Sequence, residues 1–525
     1  MKNYLLTITL LIVTSLKLSA QWSTDPNNNL IIASGWDPHI VSDSAGGCYV
    51  TYNYESFYPQ KLAVERLDMY GFKPWGNKKQ IPGELPEQWQ AEIIEDGQGG
   101  VIVSYQDNQV IGTFYTTRVR VQKVDSSGNF LWGQTGVRVN LTESNHGAQE
   151  LVSDGDGGCV IVWQNIDASY WMNRINSFGQ REWGDTGIAI GNGNSKWIIR
   201  ASDGNYYVQT GLTVHRIGRE GQILNQYSVS LGYPVPDPEG GIVLSGRVWT
   251  GMIPKLVAQR KDSLGSNRWQ EPYVEIADSL DINAHLDIKY NNGFIYYSWS
   301  GMKIGINKVA QFQALKLDGT ILYSDGSIQV GEPPLGGAYI VPLEKNRTAL
   351  IYHETNYLPD SLLAQSYDTL GNKLWDTTGV LIAQPSIEYQ SFTTDGRGGF
   401  IIGGVIENFT VVAQQVNKYG YLGEIITDLY AEEIKIVPAD IYLFQNFPNP
   451  FNSATIIKYK IPSEGNIKIA LYNILGEELK TLSDEFQSAG IYSINFNSED
   501  LPSGVYIYVL KTNNRVLTKK LSIIK

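Results

Sequence analysis

Residues 153–163 read SDGDGGCVIVW, and residues 172–190 read MNRINSFGQREWGDTGIAI. The first phrase is a turn signal, Asp-Gly-x-Gly-Gly, followed by an apolar run. Asp and Gly both suit tight turns, Gly because it accepts positive φ and Asp because it bonds its own backbone. The second phrase holds an apolar run, an Asn-x-x-Gly turn, a short run ending at Trp183 and a last run after Gly187. Turn-bounded apolar runs of this length read as strands. The first phrase recurs as SDSAGGCYVTY (42–52), EDGQGGVIVSY (95–105), SDGNYYVQTG (202–211), PDPEGGIVLSG (236–246), KYNNGFIYYSW (289–299), EKNRTALIYHE (344–354) and TDGRGGFIIGG (394–404). The second recurs at 121–139 and 364–382, with fainter copies at 62–81, 214–231, 257–276 and 312–330.

The spacing is 53 residues from Gly47 to Gly100 and 58 from Gly100 to Gly158. Four strands in a unit of that length make the blade of a β-propeller. Eight copies favour eight blades, and the truncation at copy four keeps seven open. The last copy lacks its Trp-x-x-x-Gly piece, whereas WSTDPNNNLIIA (22–33) resembles WDTTGVLIA (375–383). The chain is therefore expected to begin with the outer strand of its own last blade, which closes the ring and removes two sheet edges.

Composition agrees. Gly is 53 of 525 residues, Tyr 32 and Trp 13, while charged residues are only 18%. With 42% hydrophobic residues the chain can bury a core, which excludes wholesale disorder. A net charge of −12 argues against a nucleic-acid partner. After the N-terminus no apolar run is long enough for a transmembrane helix, so none is expected in the mature chain. Residues 1–20, MKNYLLTITLLIVTSLKLSA, have the basic start, apolar middle and small residue of a secretory signal peptide. The expected plan is the signal peptide at 1–20, the propeller at 21–430, a linker at 431–439 and a C-terminal domain at 440–525.

In that last domain Ile467, Ile469 and Leu471, and again Val505, Ile507 and Val509, alternate as in half-buried strands. A small immunoglobulin-like antiparallel β-sandwich follows. The segment resembles the type A C-terminal sorting domain of the type IX secretion system. The resemblance rests on Pro448-Asn449-Pro450, Leu471-Tyr472-Asn473, Leu475-Gly476, Leu501 to Val505-Tyr506 with Gly504, and Lys519-Lys520. It implies a Gram-negative source, export from the periplasm across the outer membrane, and handling by a translocon and a sortase. Anchoring at the cell surface or release would follow. Residues 440–525 carry net +1 and 1–20 carry +2, leaving −15 for the body.

The candidate site residues flank the strand after Gly-Gly, taken as the innermost. Before it, one position holds His39, Glu92, Glu150, His285 and Ser391. After it come aromatic-polar pairs: Tyr52-Asn53, Tyr105-Gln106, Trp163-Gln164, Trp299-Ser300 and Tyr352-His353. Aromatic faces stack on sugars, and amides both donate and accept. The residues Tyr52, Tyr105, Gln106, Trp163, Gln164, Trp299 and His353 thus form an expected sugar-binding rim, with a merely solvated rim as the other reading. Asp43, Asp96, Asp154, Asp203 and Asp395 are expected to cap turns; calcium at Asp154 and Asp156 is the alternative, and no other cofactor is expected. Trp132, Trp183, Trp269 and Trp375 are expected as wedges between blades. Cys48 and Cys159, in non-adjacent copies, are expected as free buried thiols. No catalytic signature is present, so the body reads first as a binding or adhesion module for a polysaccharide or protein. A hydrolase or lyase of extracellular polysaccharide is the alternative.

Overall fold

The computed structural model describes residues 22–423 and 441–524, less internal segments of at most seven residues. The expected signal peptide and linker lie outside the described residues. The chain divides into two compact units, Met1–Glu424 and Ile425–Lys525.

The described residues of the first unit form eight four-stranded antiparallel sheets. Their first strands are Trp36–Ser42, Glu87–Glu95, His146–Ser153, Lys196–Arg200, Tyr233–Pro236, Leu286–Asn291, Leu335–Pro342 and Glu388–Thr394. Each packs on the first strand of the next sheet, and the eighth packs on the first, so the ring is closed. This is an eight-bladed β-propeller. The truncated fourth copy still builds a complete blade. Blade 8 takes its outer strand, Leu30–Ser34, from the N-terminus, with Leu30 opposite Ala413 and Ser34 opposite Thr410. The seam is held from both sides. Trp22 Nε1 donates to Met69 O (3.1 Å) and Lys73 Nζ to Ile32 O (2.6 Å), both in blade 1. Asn29 Nδ2 donates to Ile382 O (3.2 Å) in blade 7.

One part of the expected strand order is corrected. The strand after Gly-Gly is second, not innermost, and the run ending at Trp is only an isolated bridge such as Ile175↔Arg181. The innermost strand is the stretch before the Asp-Gly turn. The reason is the turn itself, which links the inner strand to the second as a tight hairpin.

The repeat residues explain the ring. Asp43, Asp96, Asp154 and Asp395 each accept two turn N–H groups on Oδ1, and Asp203 accepts one. The other oxygen faces a cation on the third strand: Arg66 on Asp43, Lys123 on Asp96, Arg174 on Asp154, Arg216 on Asp203 and Arg260 on Asp237. Arg174 also meets Asp156 at 3.0 Å. Guanidinium thus occupies the carboxylates on which the calcium reading rested, and no group of three metal-ligating side chains occurs among the described residues.

The wedges are equally regular. Trp132, Trp183, Trp269 and Trp375 are buried, and each indole N–H reaches a backbone carbonyl in the next blade's four-residue turn that ends in glycine. The ring covers that turn's glycine: a Cβ on Gly179 would stand 3.0 Å from Trp132, and one on Gly221 2.9 Å from Trp183. Trp22 does the same over Gly71 across the seam. Cys48 and Cys159 are free and buried.

The second unit has two sheets, one of Tyr442–Leu443, Ala454–Ile461 and Gly490–Asn497, the other of Glu478–Gln487, Gly465–Tyr472, Gly504–Lys511 and Val516–Ile523. Ile467, Ile469 and Leu471 face the core as the alternation predicts. In Gly504–Lys511 the inward face is Tyr506, Tyr508 and Leu510, and Val505 is exposed. The aromatic rings win the interior because they bury more area than Val or Ile.

Candidate functional site

The ring positions of the inner strands are set by register. His39 lies opposite Thr51, Glu92 opposite Ser104, Glu150 opposite Val162 and Ser391 opposite Gly403, so these four are equivalent. His285 is not. The equivalent residue in blade 6 is Asp287, opposite Ser298. Blade 6 has one residue more before Trp299 than other blades have before their aromatic, and counting from the glycine misplaces the histidine. Two of these side chains cap the open edge of the next inner strand: Ser391 Oγ accepts from Ile40 N (3.0 Å) and Asp287 Oδ2 from Ile340 N (2.7 Å).

The expected aromatic rim is not a rim. Tyr52, Tyr105, Trp163 and Trp299 are fully buried in core clusters between sheets. The second strand of every sheet is covered on both faces by neighbouring blades, so its aromatics have no exposed face to offer. Tyr105 Oη donates to backbone oxygens of Pro82 and Thr135 (2.7 and 2.9 Å), a structural tie. Gln106 is buried as well, and Gln164 donates to Gly193 O at 3.3 Å.

The structure instead builds a mouth from the outer ends of five consecutive inner strands. Blades 7, 8, 1, 2 and 3 each carry a register shift there, while blades 4, 5 and 6 do not. Bulges re-aim side chains and gather near functional sites. In blades 1, 2 and 8 the bulged residue is left-handed without being glycine: Asp37 (φ 55°), Gln90 (φ 47°) and Tyr389 (φ 48°). Each such residue costs about 1–3 kcal/mol. Trp36 and Trp89 precede the first two, at equivalent register positions opposite Asn53 and Gln106. Tyr389 is 73% exposed.

Three contacts define the chemistry. His39 lies between two carboxylates, Nε2 3.6 Å from Asp37 and Nδ1 4.0 Å from Glu92. Burial opposes its charge, but the Asp37 hydrogen bond and the pull of Glu92 outweigh it, so the pKa rises. Gln106 Nε2 donates to Gln90 Oε1 and to Gln149 Oε1 (3.0 Å), and Gln149 Nε2 returns to Gln90 O, closing a triad of amides across blades 2 and 3. At blade 7, His353 Nδ1 lies 2.9 Å from Ser386 Oγ and Nε2 lies 2.7 Å from Gln390 Nε2. The Gln390 amide nitrogen also donates to Ile387 O, so it donates to the ring, and Nδ1 carries the imidazole proton. Ser386 then accepts from His353 and is not primed as a nucleophile. Burial pushes the His353 pKa down.

Sequence reasoning missed Trp36, Asp37, Trp89, Gln90, Gln149 and Tyr389. A signal existed: WDPH (36–39) and WQAE (89–92) share a Trp three residues before the ring position.

In the second unit, Asn449 clamps the last strand, donating to Lys520 O (3.3 Å) and accepting from Ser522 N (2.8 Å). Gly476 closes a turn at φ 84°, and Tyr506 Oη donates to Pro502 O (2.9 Å) just ahead of Gly504. Lys519 and Lys520 lie in Val516–Ile523; Pro448 and Pro450 lie outside the described residues.

Among solved structures, the chain is similar to the Hadza microbial sialidase Hz136 (11% identity, 61% of this chain and 63% of that one, TM-score 0.31). It is similar to Sqt1 from Chaetomium thermophilum (11%, 74% and 98%, TM-score 0.37). It is also similar to the SapL1 lectin solved with alpha methyl fucoside (11%, 68% and 98%, TM-score 0.29). No curated protein sequence matches the chain significantly. None of the described helices is long and apolar enough to cross a membrane. Residues 445–525 match the family model of the secretion system C-terminal sorting domain, so the chain carries a type IX export signal that directs it to the cell surface or the medium.

Proposed function

We propose that the exported propeller is a binding module for an extracellular glycan, held at the channel mouth over blades 7 to 3. One observation carries the reading: five consecutive inner strands are bulged, and three of them hold a non-glycine residue in a strained left-handed conformation. The bulges bring two indoles, the exposed Gln90 amide and an exposed tyrosine to one arc of the mouth. Indole faces suit sugar rings, and amides match hydroxyls that both donate and accept.

A second reading has its own observation. Asp37 and Glu92 flank His39, and two carboxylates across a gap are the equipment of glycoside hydrolysis. One experiment separates the two. The mature chain is presented with a panel of polysaccharides, and binding and new reducing ends are recorded in the same wells. Binding without cleavage, lost in Trp36→Ala and Gln90→Ala, supports the module. New ends, lost in Glu92→Gln, replace it with a hydrolase. No binding to any polysaccharide, with binding to an extracellular protein instead, removes the glycan from the proposal.

A further inference from the structure

A second space lies away from the mouth, in the seam between blades 5 and 6. It is a groove of about 540 Å³, within the size range of ligand sites. One wall is the outer strand of blade 5 with Glu275 and Asp278; the other is blade 6 with Gln311, Gln329 and Ser327, and the largely buried Trp299 also lines it.

The sequence departs from the repeat at the groove. In blades 2, 3 and 7 the residue before the outer strand is glycine: Gly136, Gly187 and Gly379. A Cβ there would stand 2.8 Å from Tyr105 Oη, 3.0 Å from Trp163 and 3.1 Å from Tyr352 Oη. Blade 6 has Ser327 in that place, and Ser327 and Trp299 both line the groove. The adjacent Gly326 has no atom within 4 Å of where a Cβ would stand.

The lining has a defined chemistry. Ser327 Oγ donates to Gln311 Oε1 (2.7 Å), leaving the Gln311 amide nitrogen as a donor. Gln329 Nε2 donates to Gly331 O (3.2 Å), leaving its carbonyl oxygen as an acceptor. Glu275 and Asp278 add acceptors, Glu275 already neutralised by Lys255 at 2.7 Å. No lysine or arginine is among the described residues that line the groove. Donors and acceptors alternate along the groove, which fits a ligand whose hydroxyls do both. Glu275 and Asp278 both act on Lys255, and the surplus negative charge disfavours a ligand that carries carboxylate or sulfate.

We propose that this groove is a lateral binding site for a short segment of neutral saccharide. It is separate from the channel mouth and does not depend on the mouth binding anything. The test uses the mature full chain with cellotetraose, laminaritetraose, mannotetraose and xylotetraose as neutral probes and tetragalacturonate as the anionic one. Hydrogen exchange locates the protection. The expected result is slower exchange in peptides covering 309–313 and 321–331 with at least one neutral probe and none with tetragalacturonate. Ser327→Trp, at an exposed position, fills the groove and is expected to weaken that probe at least tenfold. Should Ser327→Trp melt early, Gln329→Ala, also exposed, takes its place. Protection confined to residues 36–42 and 87–95 would speak for the mouth and overturn the lateral site. So would equal protection by tetragalacturonate, absence of protection with every neutral probe, or binding that survives the variants.

Discussion

Replacing Trp132 by alanine tests the wedge that joins blade 2 to blade 3. Trp132 is 4% exposed, its indole N–H donates to Ser177 O at 3.0 Å, and its ring lies over Gly179. A buried tryptophan covers roughly 200 Å², worth ~5 kcal/mol at ~25 cal/mol per Å², of which alanine keeps a small part. The lost hydrogen bond adds about 1 kcal/mol and partial collapse of the cavity returns some, so the expected cost is ~3–5 kcal/mol. The partner glycine sharpens the test. Gly179→Ala places a Cβ 3.0 Å from the indole and forces alanine to φ 80°. The backbone strain, about 1–2 kcal/mol, is independent of the indole; the clash is not. In Trp132→Ala the clash with the indole disappears and only the 3.2 Å approach to Val137 is left, so the double variant should be less destabilised than the sum by about 0.5–3 kcal/mol. Urea unfolding of the four proteins, read at unchanged m-value, gives the cycle. A cost below 1 kcal/mol for Trp132→Ala, or strict additivity with Gly179→Ala, refutes the wedge.

Three further outcomes are expected. Asp237→Asn removes the charge that the nearly buried Arg260 meets at 2.7 Å and leaves it Glu239 at 2.8 Å, and should cost about 1.5–3 kcal/mol of stability by urea unfolding; a change below 1 kcal/mol would show the pair to be dispensable. His39 should titrate above 6.5 by NMR and His353 below it, with Glu92→Gln bringing His39 down. Because the folded pKa of His39 is raised, its charge stabilises the fold fully below pH 6.5, and that contribution fades as pH rises through the folded value; an unmoved His39 in Glu92→Gln refutes the contact. Deleting residues 440–525 should leave the body in the periplasm, as followed by immunoblot of cell fractions, and its appearance in the medium would contradict the export assignment.

Much of the fold was legible because a repeat states its turns many times over. Asp43, Asp96 and Asp154, each followed by paired glycines, marked one hairpin in three blades, and Trp132 and Trp183 marked the seams. WSTDPNNNLIIA showed where the ring closes, because the last copy lacked that very piece. The strand order within a blade was less legible. The inner strand, as in WDPHIVS (36–42), is mixed in polarity and in burial, whereas the second strand, CYVTYNY (48–54), is equally long, rich in tyrosine and buried throughout. That error carried Tyr52, Tyr105, Trp163 and Trp299 to the rim. The site depends on bulges, and a bulge adds one residue to one strand without changing the kind of residue beside it. Asp37 and Gln90 look like ordinary strand residues until register shows two positions facing one.

The N-terminal strand gives blade 8 a property no other blade has. Leu30 and Ala413 meet across 383 residues, and joining ends so far apart in an unstructured chain would cost ~5 kcal/mol in loop entropy. Seven blades formed in order cancel most of that cost by carrying the ends toward each other. The pairing of Leu30–Ser34 with Thr410–Ala413 thus joins the two ends of the body across all eight blades. A chain broken off before Thr410 leaves Leu30–Ser34 with no strand to join and keeps two apolar sheet edges open. The seam therefore couples the first described strand of the body to its last, residues 30–34 to residues 410–413.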